Sequence, residues 1–76
     1  MSSTLPFKGT KAQEEELRQF IADHKHIPGA LMPVLQKAQG IYGYLPEEVQ
    51  QIIADGLDIS TSEVYGVATF YSQFSL

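Results

Sequence analysis

The residues able to do chemistry in this sequence are few, and their spacing argues against each reaction in turn. His24 and His26 are the only imidazoles. On a helix an i, i+2 pair diverges by about 200°, so the two make a poor metal clamp, and no third ligand stands nearby. They suit the C-terminal end of a helix, where positive charge is mildly favoured. Glu47 and Glu48 are adjacent and do not face one another on a helix. They suit the start of one better than acid–base work. Asp55 and Asp58 form the other close carboxylate pair. Ser60 and Ser62 have no histidine at a suggestive spacing. Gly40-Ile41-Tyr42-Gly43-Tyr44 carries two glycines but no helix-opening pattern after them, so it reads as a helix end and a turn, not a phosphate loop. Tyr42 and Tyr44 there are expected to be half-buried bridging residues. The sequence has no cysteine, which removes disulfides, thiol nucleophiles and Cys-ligated zinc or iron–sulfur centres from these residues. No catalytic, cofactor-binding or metal-binding residue is assigned.

What remains is how the chain folds and what it touches. Residues 1–10 hold Ser, Thr, Pro and Gly without periodicity and read as a frayed arm, with Leu5 and Phe7 able to fold back. A first helix is expected from near Lys11 to His24, with Leu17, Phe20, Ile21 and His24 at i, i+3, i+4 and i+7. Ile27-Pro28-Gly29 breaks it. A second helix covers roughly Ala30 to Tyr42 and buries Leu31, Val34, Leu35, Ala38, Ile41 and Tyr42. Pro33 is harmless only in its first turn, and Gly43 is a candidate C-terminal cap. A third helix starts at Pro46, carries Val49, Ile52, Ile53 and Leu57 as its stripe, and is expected to end at Gly56. A fourth begins after Ser60. Ser60 and Glu63 have capping-box spacing, and Ile59 and Val64 have that of a hydrophobic staple. Its core face is Val64, Val67, Ala68 and Tyr71. The predicted fold is all-α: four short helices over residues 11–76, joined by short loops that pack neighbours in sequence order.

Length and charge narrow the function. A single 76-residue domain buries only about 60–65% of its unfolded surface, so stability is marginal. No apolar run approaches a membrane span and the N-terminus lacks a signal-peptide pattern, so the cytoplasm is the default and no membrane insertion is expected. The formal charge of −4 hides an asymmetry, because all five basic residues lie at or before Lys37 and five acidic ones follow it. Helices three and four do resemble a helix-turn-helix. The second of them, with Tyr65, Thr69, Ser72 and Gln73, offers no cation for phosphates. Nucleic acid is therefore not an expected partner, and the acidic surface is either a solvated face or one that meets a basic partner.

The fourth helix has more apolar surface than one small neighbour needs. Tyr65, Thr69, Phe70 and Phe74, off the main core stripe, are the candidate interface residues. Gly66, which costs about 1 kcal/mol relative to Ala inside a helix, is a candidate point of close backbone approach.

Three separated motifs carry a resemblance. They are Gly29-Ala30-Leu31-Met32-Pro33-Val34-Leu35-Gln36-Lys37-Ala38-Gln39, then Tyr42-Gly43-Tyr44-Leu45-Pro46, then Val64 to Phe74 (Val-Tyr-Gly-Val-Ala-Thr-Phe-Tyr-Ser-Gln-Phe). In order and spacing the chain from about Glu14 to Leu76 resembles the N-terminal helical region of the small [2Fe–2S] subunit of NADH dehydrogenases and of NAD(P)-reducing iron-only hydrogenases. The short N-terminus suggests a bacterial member, leaning to the hydrogenase branch. The resemblance implies a helical bundle that precedes a thioredoxin-like ferredoxin domain, whose four cysteines hold the cluster. It also implies a flavoprotein partner that binds the nicotinamide nucleotide. The apolar ending Phe74-Ser75-Leu76 is expected where a longer chain would enter that ferredoxin domain, and disorder is expected near it. No cluster ligand transfers to any position here. These residues alone would be a scaffold within an oxidoreductase and not catalytic themselves. The competing reading is a free-standing helical interaction module, with a DNA-binding regulator behind it.

Overall fold

The computed structural model describes residues 9–71 and 74–76. The chain forms α1 (Lys11–His24), α2 (Leu31–Tyr42), α3 (Glu47–Leu57) and α4 (Thr61–Phe70), and no strand occurs among the described residues. The all-α expectation holds. Leu5 and Phe7, and Ser72 and Gln73, lie outside the described residues.

Local chemistry explains the helix limits. Thr10 Oγ1 accepts the Gln13 N–H at 3.1 Å while Gln13 Oε1 accepts the Thr10 N–H at 2.9 Å. This complete capping box starts α1. Thr10, read from sequence as part of the arm, therefore has a defined role. Pro33 stands in the first turn of α2, where its missing N–H leaves no intrahelical bond unmade. Gly43 closes α2 at φ 83°, its N–H donating to the Gln39 carbonyl at 2.7 Å. Only glycine takes that backbone without strain.

Helix α3 departs from expectation at both ends. Pro46 is the cap and not the first helical residue, a shift of one position. Gly56 does not end the helix. Asp58 does, at φ 59°, with the Ile59 N–H donating to the Ala54 carbonyl at 3.0 Å in a Schellman-type closure. Gly56 serves packing instead, for a Cβ built there would lie 2.6 Å from Ile21 Cγ2. It lets α3 approach α1 closely.

Ser60 caps α4, its Oγ accepting the Glu63 N–H at 3.1 Å. The reciprocal Glu63 contact of a full box does not appear among the described residues, so one orphan donor is satisfied instead of two. The helix stops at Phe70. Tyr71 is extended (φ −102°, ψ 115°) and 42% exposed, so it does not continue the core face as its spacing suggested. The physical reason follows in the chain. Phe74 turns back into the core at 8% exposure. Ser75 is then held on both sides, its N–H donating to Gln39 Oε1 and its carbonyl accepting the Leu45 N–H, each at 2.7 Å. A helix carried on past Tyr71 would deny the chain this return. The loose ending expected around Phe74 is thus replaced by an anchored one.

The core gathers Leu17 and Ile21 from α1, Val34, Leu35 and Ala38 from α2, Val49 and Ile53 from α3, and Val64 and Ala68 from α4. Leu45 and Phe74 close it. Gln50 is its buried polar residue, and its Nε2 donates to the Leu45 carbonyl at 2.8 Å, so its burial is compensated. Helix α1 packs on α2 and α3, and α4 packs chiefly on α3. This leaves α4 as the outer element with one face uncovered.

Candidate functional site

On α4 the core residues Val64, Val67 and Ala68 share one side. With about 100° per residue, Tyr65, Gly66, Thr69 and Phe70 occupy an arc of about 140° on the other. All four are exposed, Tyr65 at 53% and Phe70 at 80%. The structure therefore brings four of the five candidate interface residues onto one open face. Phe74 is separated from them by its burial. Its sequence position beyond the capped helix gave no sign that the chain reverses there.

Within the arc, the Thr69 hydroxyl is already engaged, donating to the carbonyls of Tyr65 and Gly66 at 2.9 and 3.0 Å. Gly66 has no neighbouring atom within 4 Å of where a Cβ would stand, so no close approach among the described residues explains it. Phe70 meets Tyr71 edge to face, ring centroids 5.1 Å apart. This T-shaped arrangement is favoured by ring quadrupoles. Tyr71, which sequence spacing had assigned to the core, thereby joins the exposed aromatics Tyr65 and Phe70.

Beside the arc a cleft of about 420 Å³ opens between the first turns of α3 and α4. Glu47, Glu48 and Gln51 line one side and Thr61, Ser62 and Tyr65 the other. Glu48 Oε2 is shielded from solvent and has no hydrogen-bond partner among the described residues.

The other chemistry-bearing residues have structural roles. The His24 ring stacks on Phe20 at 3.9 Å, and its Nδ1 lies 2.8 Å from the Phe20 carbonyl oxygen. Lys37 pairs with Glu16 at 3.0 Å and sits 5.6 Å above the Phe20 ring. Asp55 accepts from Gln51 Nε2 along α3 at 2.9 Å. Burial, and then the nearby Glu14 carboxylate, push the Tyr42 phenol above its ordinary value. Tyr42 is half-buried as expected, whereas Tyr44 is 45% exposed. No group of three His, Cys, Asp or Glu able to hold a metal occurs among the described residues. None of their helices is long and apolar enough to cross a membrane.

Comparison with known proteins accounts for the motifs. The family model for thioredoxin-like [2Fe–2S] ferredoxin matches residues 17–76. The NADP-reducing hydrogenase subunit HndA of Solidesulfovibrio fructosivorans is 46% identical over 61 residues, 80% of this chain and 36% of that protein. A subunit of the NADH-quinone oxidoreductase of Aquifex aeolicus is 34% identical over 79% of this chain and 40% of its own length. The corresponding subunit of Buchnera aphidicola is 30% identical over 91% of this chain and 40% of its own length. The chain thus spans well under half the length of these relatives. A [2Fe–2S] cluster requires thiolate ligands, in some cases with histidine. These 76 residues contain no cysteine, so they do not fit the cluster and no electron-transfer step is placed on them. With its motifs, its helices and its core all inside or adjoining the matched stretch, this chain belongs to the thioredoxin-like [2Fe–2S] ferredoxin family.

Proposed function

We propose that this chain is the helical docking domain of an electron-transfer subunit in an NAD(P)-linked hydrogenase or NADH dehydrogenase complex of the cytoplasm. It positions a downstream [2Fe–2S] thioredoxin-like domain and contacts a flavoprotein subunit that binds the nicotinamide nucleotide. The names of the relatives support the class of complex. The observation that carries the docking role is the uncovered arc of α4, where Phe70 is 80% exposed beside Tyr65 and Tyr71. An aromatic side chain so placed loses apolar contact with solvent only when another surface covers it. Large aromatics are also the residues that anchor interfaces.

The test is Phe70→Ala in the full-length subunit, expressed together with the flavoprotein subunit. The expected result is loss of copurification with the isolated subunit still folded. Copurification at the wild-type level would remove Phe70 as an anchor of that contact.

A further inference from the structure

We propose that the cleft between the first turns of α3 and α4 receives an arginine side chain from a partner protein. The docking surface would then select a basic, arginine-bearing segment. This rests on the docking reading above and names the chemistry of the partner.

Charge is the first argument. Glu47 and Glu48 line the cleft, and no Lys or Arg follows Lys37 in the sequence. The ion pairs Arg18–Glu14 and Lys37–Glu16 lie on α1 and α2, away from it. The two helix N-termini contribute about half a positive charge each, which does not cancel the two cleft carboxylates. The cleft stays negative, and no cation lines it among the described residues.

The second argument is Glu48. Its Oε2 is closed to solvent without a donor among the described residues, a costly condition for a carboxylate oxygen. The Glu χ3 torsion is soft, so a small turn presents that oxygen to a donor entering the cleft. The third is Tyr65, on the opposite wall and 53% exposed. A guanidinium can bond a carboxylate through its planar fork while stacking on an aromatic face, and it sheds water more readily than an ammonium. Carboxylate on one wall and phenol ring on the other therefore favour arginine over lysine. Tyr65 belongs both to this cleft and to the outer arc of α4, so a protein segment lying on the arc would bring a side chain to the cleft mouth.

The probe is a capped pentapeptide, Ala-Leu-Arg-Leu-Ala, titrated into the 76-residue chain and followed by backbone amide NMR. Controls carry lysine or neutral citrulline at the centre. Shifts concentrated in residues 47–51 and 61–65 are expected, with affinity falling as salt rises. Glu48→Gln keeps the side-chain shape and should weaken binding about tenfold. Tyr65→Ala, at an exposed position, should weaken it about threefold. The proposal is overturned if the arginine peptide produces no localised shifts, if lysine or citrulline binds equally well, or if neither variant alters affinity. Peptide binding at the cleft together with undiminished copurification of Phe70→Ala would leave the arginine cleft standing and remove Phe70 as the anchor of the flavoprotein contact. Loss of copurification without peptide binding would remove the cleft alone.

Discussion

Gly43, Gly56 and Gly66 are each placed differently, and their substitutions separate the cases. Gly43 holds φ 83°, so Gly43→Ala should cost about 1–2 kcal/mol through the crowded left-handed backbone. Gly56 faces buried Ile21 at 2.6 Å from a notional Cβ, so Gly56→Ala should cost about 1–3 kcal/mol by overpacking. Gly66 faces open space, so Gly66→Ala should stabilise the isolated chain by up to about 1 kcal/mol. Urea unfolding of the three variants gives the signs. If Gly66 admits a partner's backbone, the same methyl group weakens assembly of the full-length subunit, which size-exclusion chromatography of the complex would reveal. In the sequence Gly56 and Gly66 look alike, each a glycine at or inside an amphipathic helix. Only the residue opposite distinguishes them, and Ile21 is thirty-five positions away. Gly43 was legible because the left-handed end of a helix is a local requirement. Asp58, in the same conformation, was not, because a glycine two positions earlier offered itself as the obvious cap.

At the scale of elements, the two capped N-termini should behave alike despite their different completeness. Thr10→Ala and Ser60→Ala should each cost about 1 kcal/mol, measured as a shift in the thermal midpoint. Ser60 was legible from the serine, the glutamate and the flanking staple. Thr10 carries the same signature with Gln13 three residues on, and it was hidden only by the Ser, Thr and Gly around it. The far end of α4 is the harder case. Periodicity alone extends the helix through Tyr71 and leaves Phe74 outside with the other aromatics. What reverses this is nonlocal: Leu45 and Gln39 offer hydrogen bonds that the segment around Ser75 accepts and donates. Phe74→Ala should therefore cost about 3 kcal/mol, whereas Phe70→Ala should stay within about 0.5 kcal/mol in the isolated chain. Chemical denaturation of the pair separates the buried aromatic from the exposed one.

For the whole molecule, helical class and family motifs were legible in sequence because amphipathic spacing and local caps largely define four short helices. Which face of α4 stays open was only half legible, since burial depends on how α3 and α4 meet. One pH dependence follows from the packed bundle. Tyr42 has a folded-state pKa raised above its ordinary value of 10.0 by burial and by Glu14. Its contribution to stability is complete below that ordinary value and is lost as pH rises through the folded-state pKa. Urea midpoints taken from pH 8 to pH 11 should fall at the alkaline end, and Tyr42→Phe should lessen the fall.

The pairing of Leu45 with Ser75 also orders events in time. Helix pairs adjacent in sequence form quickly because little chain entropy is lost in bringing them together. The seam between the loop after α2 and the last residues joins distant parts of the chain, and it also seats Phe74. A chain emerging from the ribosome can thus assemble α1 to α3 before it can close its core. Closure waits for the residues around Ser75, and until then the hydrophobic gap left for Phe74 is the surface a chaperone would meet.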